Sequence, residues 1–139
     1  MVPPDRSAHR GARRTALVLA AHGSREDPLS AALARGQAER VRALGLFDEV
    51  AVAFHRGEPP FREVLDRLEA EVVTVVPLLT SAGYYGRVVL PRELTKNRRF
   101  GEVELRVSEP IGTHPGMAGI VGRRAAELAA ARGLDPRRS

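Results

Sequence analysis

The chain has 139 residues, of which 43% are hydrophobic and 4% aromatic, a composition that fits one domain with an aliphatic core. It contains no cysteine, which excludes disulfides, thiolate metal ligands and cysteine-held iron–sulfur clusters. The net charge of +5 favours an anionic partner, but no nucleic-acid-binding motif and no apolar run of membrane-spanning length accompanies it. We therefore expect a cytoplasmic protein that binds neither nucleic acid nor a membrane.

Apolar segments with strand and helix periodicity alternate four times along the chain. The predicted strands cover residues 15–21, 49–54, 72–79 and 103–107, and the predicted helices cover about 28–44, 60–70, 88–97 and 115–132. Asp27 is a good N-cap for the first helix, and Pro28 suits its first turn. This alternation predicts an α/β fold, in which a four-stranded parallel sheet carries helices on both faces.

The domain is predicted over residues 15–133. Residues 1–14 contain two prolines and four arginines and are expected to form a disordered basic tail. Residues 134–139 are either an ordinary frayed end or a connection to a further repeat.

The histidines indicate where this fold would act. In an open parallel sheet, ligands bind outside the carboxyl ends of the strands. His22, His55 and His114 each follow a predicted strand, and Glu58 lies in one of the same loops. Such side chains can hold a divalent metal or move protons. For His55 and His114 the simpler interpretation is a solvated loop residue, whereas His22 directly follows a buried strand and precedes Gly23, which permits a close backbone approach.

Four segments together resemble the CbiX-like family of small sirohydrochlorin chelatases. They are AHGSR at 21–25, VPLLTSAGY at 76–84, LPREL at 90–94 and PIGTHP at 110–115. The resemblance covers about residues 16–132 in the expected order. It implies a chelatase-like domain, comparable to one flavodoxin-like half of a larger two-repeat chelatase.

The resemblance also implies an activity. Members insert cobalt, iron or nickel into sirohydrochlorin-type tetrapyrroles, a lyase reaction of cobalamin and siroheme biosynthesis that needs no ATP in the small forms. The divalent metal is then a substrate, and no organic cofactor is expected. The partners implied are the tetrapyrrole and either a second copy in a homodimer or a second chelatase-like repeat.

The family pattern assigns roles to individual residues. His22 matches the family histidine that ends the first strand, so it is expected to bind metal or accept protons. Tyr85 stands where a Gly-x-His pattern places the second metal histidine, and a neutral phenol is a poor ligand for cobalt or nickel. Tyr85 is therefore expected to line the macrocycle site. The expected substrate contacts are Ser24, Arg25, Gly83 and Arg87, and the wider basic rim includes Arg92, Lys96, Arg98 and Arg99.

Three explanations of Tyr85 remain open. The chain is an active chelatase that uses His22 with another ligand, such as Glu58, His55 or His114. Alternatively, it binds a tetrapyrrole or another anion without inserting metal. In the third explanation it is one repeat of a pair in which the partner supplies the chemistry. A phosphate-binding enzyme on a flavodoxin-like fold is less well supported, since neither common glycine-rich nucleotide motif is present.

Overall fold

The computed structural model describes residues 13–135 and residue 137. The predicted basic tail lies outside the described residues except for Arg13 and Arg14. Arg13 pairs with Glu104 at 2.9 Å, and the Arg14 carbonyl accepts the N–H of Val72, so both residues contact the sheet. Of the predicted C-terminal segment, only Leu134, Asp135 and Arg137 are described.

The predicted four-stranded parallel sheet is confirmed in the described part of the chain. Its strands are β1 (Thr15–Gly23), β2 (Glu49–Arg56), β3 (Val72–Pro77) and β4 (Glu104–Val107). The α-helices are α1 (Pro28–Ala43), α2 (Leu90–Thr95) and α3 (Gly116–Ala131). Two 3₁₀ helices span Phe61–Arg67 and Ile111–Thr113, and one π-helical turn spans Tyr85–Val89.

The strand order β2-β1-β3-β4 puts β1 inside the sheet, with parallel partners on both sides. Six consecutive residues of β1, 16–21, are therefore buried. Ala16, Val18 and Ala20 face a core closed by the 3₁₀ helix Phe61–Arg67 and by α2, while Leu17 and Leu19 face a core closed by α1. Helices thus cover both faces of the sheet, as predicted. The order reverses between β1 and β3, which makes the carboxyl ends of these two strands the expected ligand crevice.

A helix is present within the predicted range 60–70, but it is a shorter 3₁₀ helix, Phe61–Arg67. The guanidinium group of Arg99 supplies the reason: it donates to the carbonyl oxygens of Leu65, Leu68 and Ala70. These carbonyls are satisfied by a side chain, so no further helical turn is needed to satisfy them. Phe61 and Leu65 nevertheless face the core, as their spacing predicts.

The third predicted helix begins earlier than residue 88 and starts as a π-helical turn. Leu90 donates its N–H to the carbonyl of Tyr85, five residues back, before α2 continues. Pro91 has no N–H to donate, which interrupts the regular α-helical hydrogen-bond series at this point. The turn places Tyr85 directly after the loop that follows β3.

Two helices expose apolar side chains. In α1 the small residues Ala34 and Ala38 contact the sheet, whereas Leu29 and Leu33 are exposed. In α3 no residue is buried, and Ile120, Val121 and Leu128 are exposed. Exposed apolar clusters on a globular domain mark surfaces that contact a partner.

Gly23 ends β1 in a conformation that only glycine adopts easily, with φ +72°. A Cβ atom at this position would lie 2.4 Å from the carbonyl oxygen of Arg56 in β2. The ends of β1 and β2 therefore approach more closely than any other residue type would allow.

We expect Gly23→Ala to destabilise the domain by about 2 kcal/mol or more, because it combines left-handed strain with a backbone clash. Urea unfolding followed by circular dichroism measures this change. Gly36→Ala is the matched control: Gly36 lies in α1 with open space around it, so the alanine should stabilise the domain by about 0.5–1 kcal/mol. Equal stability of Gly23→Ala and the unmodified protein would contradict the close approach.

Candidate functional site

Three aromatic rings meet at the carboxyl ends of the strands. The ring centroids of His22 and His55 lie 5.4 Å apart, and the Tyr85 ring lies 4.8 Å from His22 and 4.5 Å from His55. We call these three residues the ring cluster. It lies next to the point where the strand order reverses, so the site is where the fold predicts a ligand.

His55 is the residue that sequence reasoning undervalued. β2 continues to Arg56, two residues beyond the predicted end, so His55 belongs to the strand and is not a solvated loop residue. The parallel register pairs Ala21 with Phe54 and Gly23 with Arg56, which brings the two histidines side by side. The sequence shows a histidine near the end of each of two strands. It does not show the strand register that places these two histidines next to each other.

The tautomer of His22 follows from its hydrogen bond. Its Nδ1 lies 3.0 Å from the carbonyl oxygen of Gly23. A carbonyl oxygen only accepts hydrogen bonds, so Nδ1 carries the hydrogen and Nε2 carries the lone pair. Orientation of one ring nitrogen by a backbone carbonyl is the usual arrangement of a metal-binding histidine.

Burial favours the neutral forms of His55 and Tyr85. Burial lowers the pKa of His55, the positive charges of His22 and Arg56 lower it further, and Glu93 opposes them. Burial also raises the pKa of Tyr85. A neutral imidazole is a competent metal ligand, whereas a phenol that keeps its proton is not.

Two clefts flank the ring cluster. A cleft of about 460 Å³ has His22 in its wall and runs along α1 past Leu33 and Leu78. A second cleft of about 240 Å³ has His55 in its wall and is bounded by Glu93 and Lys96. The first cleft offers an apolar surface to a flat ligand. The second brings the charged groups of Glu93 and Lys96 towards the imidazole of His55.

The expected substrate contacts have different surroundings. Ser24 Oγ accepts the N–H of Glu26 and Asp27 at 3.2 and 3.1 Å, so this oxygen supports the turn before α1. Arg25 and Arg87 are exposed, and within the described residues neither pairs with a carboxylate. Their guanidinium groups are therefore available to an anionic ligand.

Part of the predicted basic rim has structural roles. Arg99 binds backbone carbonyls, Arg98 lies 3.2 Å from Asp66, and Lys96 lies 2.8 Å from Glu93. At Gly83 an added Cβ would meet nothing within 4 Å, so packing does not require glycine there.

The other candidate ligands are not brought to the ring cluster. The nearest cation to the carboxylate of Glu58 is Arg67, at 4.0 Å, and His114 Nδ1 accepts the N–H of Gly116 at the start of α3. Among the described residues, no group of three histidine, aspartate or glutamate side chains is arranged to hold a metal. The metal role of Glu58 stays a prediction.

No helix in the described part of the chain is long and apolar enough to cross a membrane.

The sequence and the fold both match known chelatases. The CbiX family model matches residues 16–128. A Halobacterium salinarum protein named as a probable sirohydrochlorin cobaltochelatase is 36% identical over 133 residues, which cover 81% of this chain and 46% of that relative. The chain thus spans less than half the length of this curated relative.

Two solved structures have the same fold. A multi-domain protein of Deinococcus radiodurans with structural similarity to chelatases superposes with a TM-score of 0.75 and 35% identity. The match covers 84% of this chain and 29% of the Deinococcus chain. A CbiX protein of Marinobacter aquaeolei superposes with a TM-score of 0.65 and 27% identity. The match covers 85% of this chain and 98% of the Marinobacter chain. With the family match over most of its length, the chain belongs to the CbiX family of chelatases.

Proposed function

We propose that the domain inserts a divalent metal into a sirohydrochlorin-type tetrapyrrole. The observation that carries the proposal is the position of His22: it lies at the carboxyl end of β1, inside the sheet, and its Nδ1 lies 3.0 Å from the Gly23 carbonyl oxygen, an arrangement that favours Nε2 as the metal-binding nitrogen. The Halobacterium relative is named as a cobaltochelatase, which makes cobalt the first metal to test. Iron and nickel are the other candidates, and a cytoplasmic location is part of the proposal.

The reaction replaces two pyrrole N–H protons of the macrocycle by one metal ion. The chain must therefore bring the ion to the macrocycle and receive protons. Nε2 of His22 can bind the ion while the pyrrole nitrogens approach, and an imidazole released from the metal can accept a proton near neutral pH. No redox step and no nucleotide is needed for this exchange.

The macrocycle is planar and carries many carboxylates, which suits the surfaces around His22. The cleft along α1 offers apolar contact to a flat ring, with Leu33 and Leu78 in its wall. Arg25 and Arg87 can pair with peripheral carboxylates, and guanidinium groups favour such two-pronged contacts. Tyr85 would lie beside the bound macrocycle, adjacent to the metal histidine.

Tyr85 supports a second candidate function, in which the domain binds a tetrapyrrole without inserting metal. A phenol with a raised pKa cannot replace the second family histidine as a ligand. The two functions differ in one observable, since only the chelatase produces the metallated macrocycle.

We further propose that a second copy of the chain packs against α3 and α1. α3 has no buried residue, and its apolar side chains Ile120, Val121 and Leu128 fall within one face at 100° per residue. The exposed Leu29 of α1, which does not line the cleft that contains His22, is a further apolar side chain available to the partner.

The insertion test mixes the purified domain with metal-free sirohydrochlorin and cobalt(II) and follows the absorption spectrum. We expect the spectrum of the metallated macrocycle to appear, and His22→Ala to slow its appearance by about 10²–10⁴-fold, the contribution typical of a positioned acid–base or metal-binding group. His114→Asn is the control, because it keeps an acceptor for the Gly116 N–H.

An unchanged rate in His22→Ala would remove the role assigned to this residue. A perturbed macrocycle spectrum that never becomes metallated would favour the binding function. No perturbation at all would contradict both tetrapyrrole functions.

The pairing test measures mass in solution by light scattering. The unmodified protein should be a dimer, and Val121→Glu should shift it to the monomer, because the new charge would be buried without a partner. Ala126→Glu adds the same charge to the opposite side of α3 and should leave the dimer intact. A monomeric unmodified protein, or a dimer unaffected by Val121→Glu, would contradict this surface.

A further inference from the structure

We propose that His55 is the second protein ligand of the substrate metal, so that the ion is held by histidines from two neighbouring strands. This inference rests on the proposed function for the claim that a metal is a substrate. The family pattern places the second histidine after β3, at the position of Tyr85. In this chain the second imidazole comes from β2.

The separation of the two rings suits one shared ion. An imidazole nitrogen binds zinc at about 2.0–2.1 Å, which puts the ring centroid about 3.2 Å from the ion. Two imidazoles at a tetrahedral angle then have centroids about 5.2 Å apart. The centroids of His22 and His55 lie 5.4 Å apart, and the rings are inclined by 55°. The separation of the ring centroids is therefore compatible with one ion bound by both imidazoles.

The backbone beneath the pair is closely packed. Each histidine follows a buried residue, Ala21 in β1 and Phe54 in β2, and these two residues are register partners. The positive φ of Gly23 and its contact with the Arg56 carbonyl then hold the strand ends together. Ligands on packed strands are positioned more precisely than ligands on loops.

Tyr85 acts in this arrangement as a positioning residue. Its ring meets the His55 ring edge to face, with an interplanar angle of 86°, and also contacts His22. Such contacts restrict both imidazoles without adding a charge. This role depends on the aromatic ring of Tyr85 and not on its hydroxyl.

The arrangement leaves the ion open to the macrocycle. In the described part of the chain no third histidine or carboxylate completes a metal-binding group around the pair. Two protein ligands leave the remaining coordination positions to water and then to pyrrole nitrogens. A site that holds its ion with few ligands also releases it, as a metal substrate requires.

The experiment measures cobalt(II) binding to the full chain without macrocycle, by calorimetry and by the visible cobalt spectrum. The unmodified protein should bind one ion. His55→Ala should weaken binding by more than about 100-fold, since loss of an outer-shell partner of a metal ligand alone costs about 10–100-fold. His114→Asn, which changes a histidine outside the ring cluster, should bind cobalt as tightly as the unmodified protein does.

A rescue variant separates ligand loss from structural damage. Tyr85→His combined with His55→Ala returns the second imidazole to the family position, beside His22, and should restore cobalt binding. Circular dichroism checks that each variant is folded. A folded double variant that does not regain binding would overturn the inference.

Two other results would also overturn it: no cobalt binding by the unmodified protein up to millimolar concentration, or unchanged binding in His55→Ala. Failure of the chelatase function gives a different result. Cobalt binding that depends on His22 and His55, together with no insertion into sirohydrochlorin, would contradict the proposed function and leave the two-histidine site intact.

Discussion

The close approach of β1 and β2 at their carboxyl ends is the constraint on which the site depends. β1 is buried on both faces, so its position is set by two cores at once. Gly23 then turns the chain with a positive φ while its Cα faces the Arg56 carbonyl. This contact holds His22 beside His55, and the carbonyl of Gly23 selects the His22 tautomer. One glycine thus links the packing of the sheet to the chemistry of the imidazoles.

The sequence predicted those parts of the fold that local patterns determine. The continuous apolar run of β1 predicted a buried central strand, and Asp27 caps α1 through the N–H of Leu29, as expected. The placement of His22 followed from these patterns, because a parallel strand delivers its last residues to the ligand edge of the sheet.

The features that could not be predicted depend on residues distant in the chain. At the end of the 3₁₀ helix Phe61–Arg67, the carbonyl oxygen of Leu65 accepts a hydrogen bond from the guanidinium group of Arg99, which lies 34 residues further along the chain. The proximity of His55 to His22 depends on strand register, which no single segment encodes. The outward position of Leu29 and Leu33 in α1 also depends on packing against the sheet, which the small residues Ala34 and Ala38 contact instead.

Tyr85 raises the question of which residue supplies the second metal ligand. The resemblance in sequence expects the second metal histidine at position 85, so Tyr85 implies that this ligand is lost. The structure puts another imidazole within reach of the same place, contributed by the neighbouring strand. On our proposal the metal site persists because its second ligand comes from a different strand, which ends at the same edge of the sheet.

The most direct test of this account is a crystal structure of the unmodified protein with cobalt(II), with data collected at the cobalt absorption edge. The account predicts one anomalous peak between the rings of His22 and His55, at bonding distance from Nε2 of His22 and from one ring nitrogen of His55. A peak bonded to the Tyr85 oxygen or to the Glu58 carboxylate instead of His55 would contradict it.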